Sequence, residues 1–332
     1  MKRKKIVFLF IVLCSLASHS QTYFYEDFNY ESFDYLDSLF QNKEKNLVWR
    51  TEHASENVDI SENGIIDIDE KFKKTSIVQD TFDKKNKILR FELDRVSAKF
   101  YAKYSCDDDV NDNVINDLAL ERSFDSIANS YCTDCGENSP LRKSLPGWKT
   151  HLNRNEIAIN GDKQRRLYKV NREHWFGLNM LIDSDYEIDS NSNAEVVTQF
   201  HVAGRKALAP AVALIINKER FVLIVNQTSD GNVGRYDLGP VVKDKWISWK
   251  YHMMFSKRDK KGLIEIWRDG ELMQTIEGRN KERNYKVYLK IGIYKSSWWY
   301  CKNPISTTNK KVISFDKIWA NNKDFTLVLP DL

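Results

Sequence analysis

The sequence predicts an all-β protein, a two-sheet sandwich of jelly-roll type carrying a small helical insertion. Three observations predict it. About a dozen short runs rich in β-branched and aromatic residues follow one another closely. Turn residues punctuate them, most clearly Asp269-Gly270, a two-residue hairpin signal between Ile264-Glu265-Ile266-Trp267 and the run beginning at Leu272. Helices do not alternate with these runs and no glycine-rich phosphate loop occurs, which excludes a βαβ dinucleotide-binding architecture. With 42% hydrophobic and 12% aromatic residues, the 332-residue chain has ample material for a core, and disordered or collagen-like classes are excluded.

The chain opens with Lys2, Arg3, Lys4 and Lys5, continues in an apolar run from Ile6 through Ala17, and then turns small and polar at Ser18-His19-Ser20-Gln21. This is the pattern of a cleavable signal peptide over residues 1–20, so a secreted or periplasmic product is expected. The apolar run is too short to span a bilayer and nothing later resembles a membrane span. Cys14 does not fit a lipid-anchor signal, because Leu13 stands where a small residue is needed. Loss of the leader removes four of the 51 Lys and Arg and leaves 47 cations against 47 Asp and Glu. Affinity for a polyanion must then come from a local patch, and nucleic-acid binding has no support from net charge.

A single domain is expected over residues 21–332, since no repeat or low-complexity linker divides it. Its first strand is read at 23–28 and its last at 312–319, a placement that suits termini meeting in one sheet. Between them strands are read at 65–68, 88–93, 155–159, 175–182, 196–202, 212–216, 220–225, 246–255, 263–268, 273–276 and 288–294. Ile115, Leu118, Leu120, Phe124, Ile127 and Ala128 recur at helical spacing, which places the helical insertion within about 102–150. Cys106, Cys132, Cys135 and Cys301 permit two disulfides in an exported protein, and the three pairings stay open. No cofactor is certain. Ca2+ is considered, with Asp107, Asp108, Asp109 and Asp112 or Asp183, Asp185, Glu187 and Asp189 as oxygen donors, although neither run has the EF-hand pattern and each also reads as a solvated acidic loop.

Three of these strands carry chemistry on one face. Side chains alternate along a strand, so Gln199 and His201 point one way and Phe200 the other. Lys290 and Tyr294 share a face across Gly292, and Arg154 shares one with Glu156. If the three strands are neighbours, they form a groove lined by imidazole, phenol, ammonium, guanidinium, carboxylate and amide groups. Gly292 weakens a strand and so marks a place where something approaches the backbone closely. Trp249 is directed to the core with Tyr251, while His252, on the face of Lys250, is expected at the surface.

The blocks Trp175-Phe176-Gly177-Leu178, Glu195-Val196-Val197-Thr198-Gln199-Phe200-His201, Trp246-Ile247-Ser248-Trp249-Lys250-Tyr251-His252, Glu265-Ile266-Trp267-Arg268-Asp269-Gly270 and Leu289-Lys290-Ile291-Gly292-Ile293-Tyr294-Lys295 occur in order. Together they resemble the polysaccharide lyase family that includes heparin lyase I and glucuronan lyase, over about residues 153–319. The resemblance implies a concanavalin-like β-jelly-roll and β-elimination on a uronic-acid polysaccharide that is glucuronan-, alginate- or heparin/heparan-like. That chemistry needs a group to neutralise the uronate carboxylate, a base for the C5 proton and an acid for the departing O4. A histidine or a tyrosine hydroxyl suits proton transfer, and cations with amide donors suit the developing charge. By the resemblance His201 and Tyr294 are the base and acid, in an order left open, and Lys290 and Gln199 hold the carboxylate. Arg154, oriented by Glu156, together with Lys295 and the sugar-stacking candidates Trp298 and Trp299, would bind substrate. A monomer acting on an anionic polysaccharide is the expected working form, and the lack of large basic clusters favours weak or no sulfation.

Two other readings compete. A carbohydrate-binding module would keep the groove and tryptophans without needing His201, Lys290 and Tyr294 together. A glycoside hydrolase needs two carboxylates flanking the bond, for which Asp67 and Asp69 are the best strand-borne pair.

Overall fold

The computed structural model describes residues 22–28, 49–52, 73–94, 154–159, 168–190, 195–202, 209–226, 232–282, 286–295, 306, 308–322 and 324. Among them lie fifteen strands and no helix. In chain order these are β1 (Thr22–Glu26), β2 (Trp49–Glu52), β3 (Lys73–Gln79), β4 (Lys87–Asp94), β5 (Arg154–Ile159), β6 (Glu173–Ile182), β7 (Glu195–Val202) and β8 (Val212–Asn217). They continue with β9 (Arg220–Val225), β10 (Gly234–Pro240), β11 (Trp246–Met254), β12 (Leu263–Arg268), β13 (Glu271–Glu277), β14 (Val287–Lys295) and β15 (Lys310–Asn321).

They form two antiparallel sheets. The first runs β13-β12-β11-β6-β15-β4-β3, with β1 paired to the end of β15, and the second runs β10-β9-β8-β7-β14-β5-β2. The expectation that the chain's first and last strands share a sheet is met, with Tyr25 opposite Trp319. The Asp269-Gly270 turn joins β12 to β13 with φ of 51° and 85°, the two positive values that a type I′ hairpin requires.

Alternation puts one face of each sheet into a common core. Phe176 of β6 and Tyr251 of β11 meet Phe200 of β7 edge-on, with ring centroids 4.8 and 5.5 Å away. Trp249 lies among them, fully buried against Phe221, as its position in the strand pattern implies. Each such side chain withdrawn from water stabilises the fold by roughly 1.5–3 kcal/mol before entropy is counted.

The strands not read from the sequence are β2, β3 and β10, and each stands at a sheet edge. An edge strand has little apolar patterning to detect, and Pro240 is tolerated in β10 because the outer side of an edge forms no ladder. The run at 65–68, the helical insertion, all cysteines, Asp67, Asp69, Trp298 and Trp299 lie outside the described residues. No helix among the described residues is long and apolar enough to cross a membrane.

Candidate active site

The strands carrying the expected groove are consecutive neighbours, β7-β14-β5. Lys290 of β14 stands opposite Gln199 of β7, and Tyr288 stands opposite His201. On the other side of β14, Gly292 is opposite Glu156 and Tyr294 is opposite Arg154. Ile291 and Ile293 point into the core, so Tyr288, Lys290 and Tyr294 share the outer face with Gln199, His201, Arg154 and Glu156.

Two clusters result. In the first, Gln199 Nε2 donates a hydrogen bond to Glu156 Oε1. Arg154 Nη1 lies 4.0 Å from Glu156 Oε2, and its guanidinium carbon lies 3.9 Å above the centre of the Tyr294 ring. The Glu156 carboxylate is almost completely buried, and the Gln199 amide donor and the Arg154 guanidinium charge beside it offset part of the cost of that burial. In the second cluster the His201 and Tyr288 rings are 5.3 Å apart, and Lys290 Nζ is 5.6 Å from the Tyr288 ring centre. His201 Nδ1 is 3.1 Å from the Val202 carbonyl oxygen. A carbonyl only accepts, so this contact assigns the proton to Nδ1 and leaves Nε2 as the basic nitrogen of the neutral ring.

Gly292 explains how the first cluster forms. Its φ is +131°, and a Cβ there would lie 2.2 Å from the Asn155 carbonyl oxygen and 2.7 Å from the Glu156 Cα. The close approach anticipated at this glycine is therefore made by the backbone of β5 itself. With no side chain at position 292, Gln199 reaches over β14 to Glu156. Beneath them Asn155 turns inward, accepts a hydrogen bond from Thr75 Oγ1 at 2.8 Å and donates to the Glu92 carbonyl at 3.0 Å, which ties β5 to the other sheet.

Two expectations, for Lys295 and His252, are corrected. Lys295 does not reach the groove: one position beyond Tyr294 its side chain faces inward, wholly buried, with Nζ 3.0 Å from Asp189 and 2.9 Å from Glu195. His252 is not a plain surface residue, since it stacks on Trp175 with centroids 4.0 Å apart and its Nδ1 lies 2.7 Å from Glu265 Oε2. The oxygens of Asp183, Asp185, Glu187 and Asp189 diverge to Arg90, Lys310, the Asn309 and Lys310 backbone N–H groups, and Lys295, respectively. Among the described residues no three His, Cys, Asp or Glu side chains converge as a metal site, and the Asp107 run lies outside them. Tyr288 is the groove residue that the sequence reading did not single out. Its spacing of two from Lys290 carried the signal.

A jelly-roll sandwich that gathers imidazole, phenol, ammonium and guanidinium groups on one outer sheet face has the groups that a protein acting on an anionic carbohydrate needs. The family model described as polysaccharide lyase matches residues 128–319, and the chain belongs to this family. The resemblance seen in the ordered sequence blocks is thus borne out, and the protein is a polysaccharide lyase. Among solved structures it is similar to an endo-β-1,4-glucuronan lyase from the fungus Trichoderma reesei, at 12% identity over 85% of this chain and 98% of that chain, with a TM-score of 0.50. That likeness bears on the fold. An alginate lyase (17% identity, 50% of this chain, 70% of that chain, TM-score 0.38) and another from Corynebacterium sp. (14%, 50%, 67%, 0.37) align over half of this chain only. Among curated proteins no sequence matches significantly.

Proposed function

We propose that this lyase cleaves a uronic-acid polysaccharide by β-elimination, with the uronate ring lying over Gly292. The observation that carries this reading is the Gln199–Glu156–Arg154 group beside Tyr294. An amide has two N–H donors, so in this reading Gln199 gives one to Glu156 and the other to the substrate carboxylate. Lys290 and Arg154 add positive charge next to it, so the enolate-like charge that develops as the C5–H bond breaks meets preoriented partners. The C5 electron pair forms the C4–C5 double bond as the C4–O4 bond breaks. His201 Nε2 accepts the C5 proton, the Tyr294 hydroxyl protonates O4, and proton exchange with water resets both.

Val196, opposite Tyr294, is five positions from His201 on β7, at about 3.3 Å per residue. Tyr294 thus stands along the strand direction from His201, with Lys290 and Gly292 between them on β14. A specific observation favours a second reading of the proton donor, because Tyr288, and not Tyr294, stands directly opposite His201. The leader pattern over residues 1–20 supports export, and the modest number of cations among the described residues of this face supports an unsulfated or weakly sulfated substrate such as glucuronan or alginate.

The test is ultraviolet absorbance of the mature protein mixed with glucuronan, alginate, heparin, heparan sulfate, ulvan and pectate. Elimination leaves a conjugated unsaturated uronate that hydrolysis does not produce. A rise on one polymer, abolished in Tyr294→Phe and His201→Ala and kept in Tyr288→Phe, is the expected result. Loss in Tyr288→Phe with activity kept in Tyr294→Phe would move the donor to Tyr288. No rise on any uronate polymer overturns the substrate class.

A further inference from the structure

Behind the groove lies a charge group that the reaction does not use. Lys295 of β14, Glu195 of β7, Lys311 of β15 and Asp189, in the segment between β6 and β7, have side chains at most 1% exposed. Lys295 Nζ is 3.0 Å from Asp189 Oδ2 and 2.9 Å from Glu195 Oε1, and Lys311 Nζ is 2.7 Å from the same Glu195 oxygen. Lys311 also donates to the Glu187 carbonyl and sits 4.5 Å from the centre of the Tyr186 ring. Two ammonium groups thus face two carboxylates, and the group ties both sheets together.

Its position along β14 is informative. The ladder between β14 and β7 runs regularly from Val287 to Ile291, shifts by one residue between Ile291 and Tyr294, and resumes only for the pairs Tyr294–Val196 and Lys295–Glu195. On the β5 side the ladder ends at the pair Tyr294–Arg154. The end of β14 is thus held by few backbone pairs, just where the side chain assigned to catalysis must face outward. A slip of one residue would turn Tyr294 into the core and Lys295 into the groove. Buried ion pairs add little net stability compared with apolar packing, but a register that leaves such charges unpaired is strongly penalised.

We propose that Lys295, through its buried pairing with Glu195 and Asp189, is a positioning residue that locks the register of β14 and so keeps Tyr294 in the groove. The proposal rests on the reading of Tyr294 given above. Lys295→Met, of similar length and apolar, is expected to lower kcat at least tenfold on the polyuronate that the absorbance panel identifies, with KM changed less than about twofold. Lys311→Met removes the other ammonium from the same group but lies on the opposite sheet. It is expected to lower the melting temperature and leave kcat within about twofold.

Lys295→Met combined with Asp189→Asn removes one ammonium and the carboxylate that faces it, leaves the Lys311–Glu195 pair intact, and covers the case in which the single variant does not fold. Its melting temperature is expected to recover while kcat stays low. Recovery of kcat in that double variant, or equal kcat losses in the Lys295 and Lys311 variants, overturns the positioning role. Tyr294→Phe, measured in parallel, separates the two ideas. If it keeps full activity, the role of Tyr294 falls and the inference with it; if it is inactive while Lys295→Met is fully active, only the positioning role falls.

Discussion

Gln199 on β7 and Glu156 on β5 are hydrogen-bonded to each other across an intervening strand, above the glycine at position 292 of β14. The contact makes one unit of three strands: β7 brings the amide, β5 the carboxylate and Arg154, and β14 the gap and Tyr294.

A double-mutant cycle tests that unit. Gln199→Ala and Glu156→Ala are each expected to reduce kcat at least tenfold, and the double variant to lose little more than the worse single. That corresponds to a coupling of about 1–3 kcal/mol, because either change leaves a buried polar group without its partner. The measurement is the initial absorbance rate of all four proteins. Strictly multiplicative losses would show that the two side chains act separately.

Gly292→Ala is expected to destabilise the protein by about 2 kcal/mol or more. The added methyl meets the Asn155 carbonyl at 2.2 Å in a backbone conformation that non-glycine residues rarely adopt. β14 must then move away from β5, separating Gln199 from Glu156, so activity per folded molecule should fall too. Thermal denaturation and the rate of the soluble fraction check the two effects. A variant with an unchanged melting temperature contradicts the geometry.

Asp316 gives a pH signature to stability. Burial pushes its carboxyl up to about 6 from an ordinary 3.8, opposed by hydrogen bonds from Asn86 Nδ2, at 3.0 Å, and from the Lys317 N–H. The folded state therefore holds this proton more tightly than the unfolded chain, and its stabilising effect is complete below about pH 4 and lost as pH rises through 6. Relative to the parent, Asp316→Asn is expected to gain stability from pH 4 to pH 7. Urea midpoints at the two pH values decide it, and a constant difference would argue against the raised value.

Phe200→Ala tests how the core supports the site. The ring lies directly behind the groove strand and meets Phe176, Tyr251 and Phe255 at 4.8, 5.5 and 5.8 Å. Loss of about 3–5 kcal/mol is expected in urea unfolding. Because β7 carries Gln199 and His201 on its other face, kcat should fall further than KM rises.

Much of the site was legible residue by residue. Period-two spacing assigned Gln199, His201, Lys290, Tyr294, Arg154 and Glu156 to outward faces because a strand's geometry alternates whatever it pairs with. Lys295 shows where local reading stops. A lysine reads as a solvated cation, and only the inward carboxylates of Asp189 and Glu195, remote or across a strand, make a buried one stable. His252 misled for a similar reason, since the Trp175 ring that covers it comes from a different strand. β2, β3 and β10 escaped notice because an edge strand keeps a weaker apolar pattern.

By itself the sequence determined what depends on near neighbours along the chain: the alternating strands, the Asp269-Gly270 hairpin and which side chains share a face within each strand. Tertiary structure alone decided the strand order β7-β14-β5, the pairing of His201 with Tyr288, and the meeting of Gln199 and Glu156 over Gly292. The physical reason is that strand pairing and register are set by the packing of whole faces against a common core, a sum over distant residues that no local spacing contains.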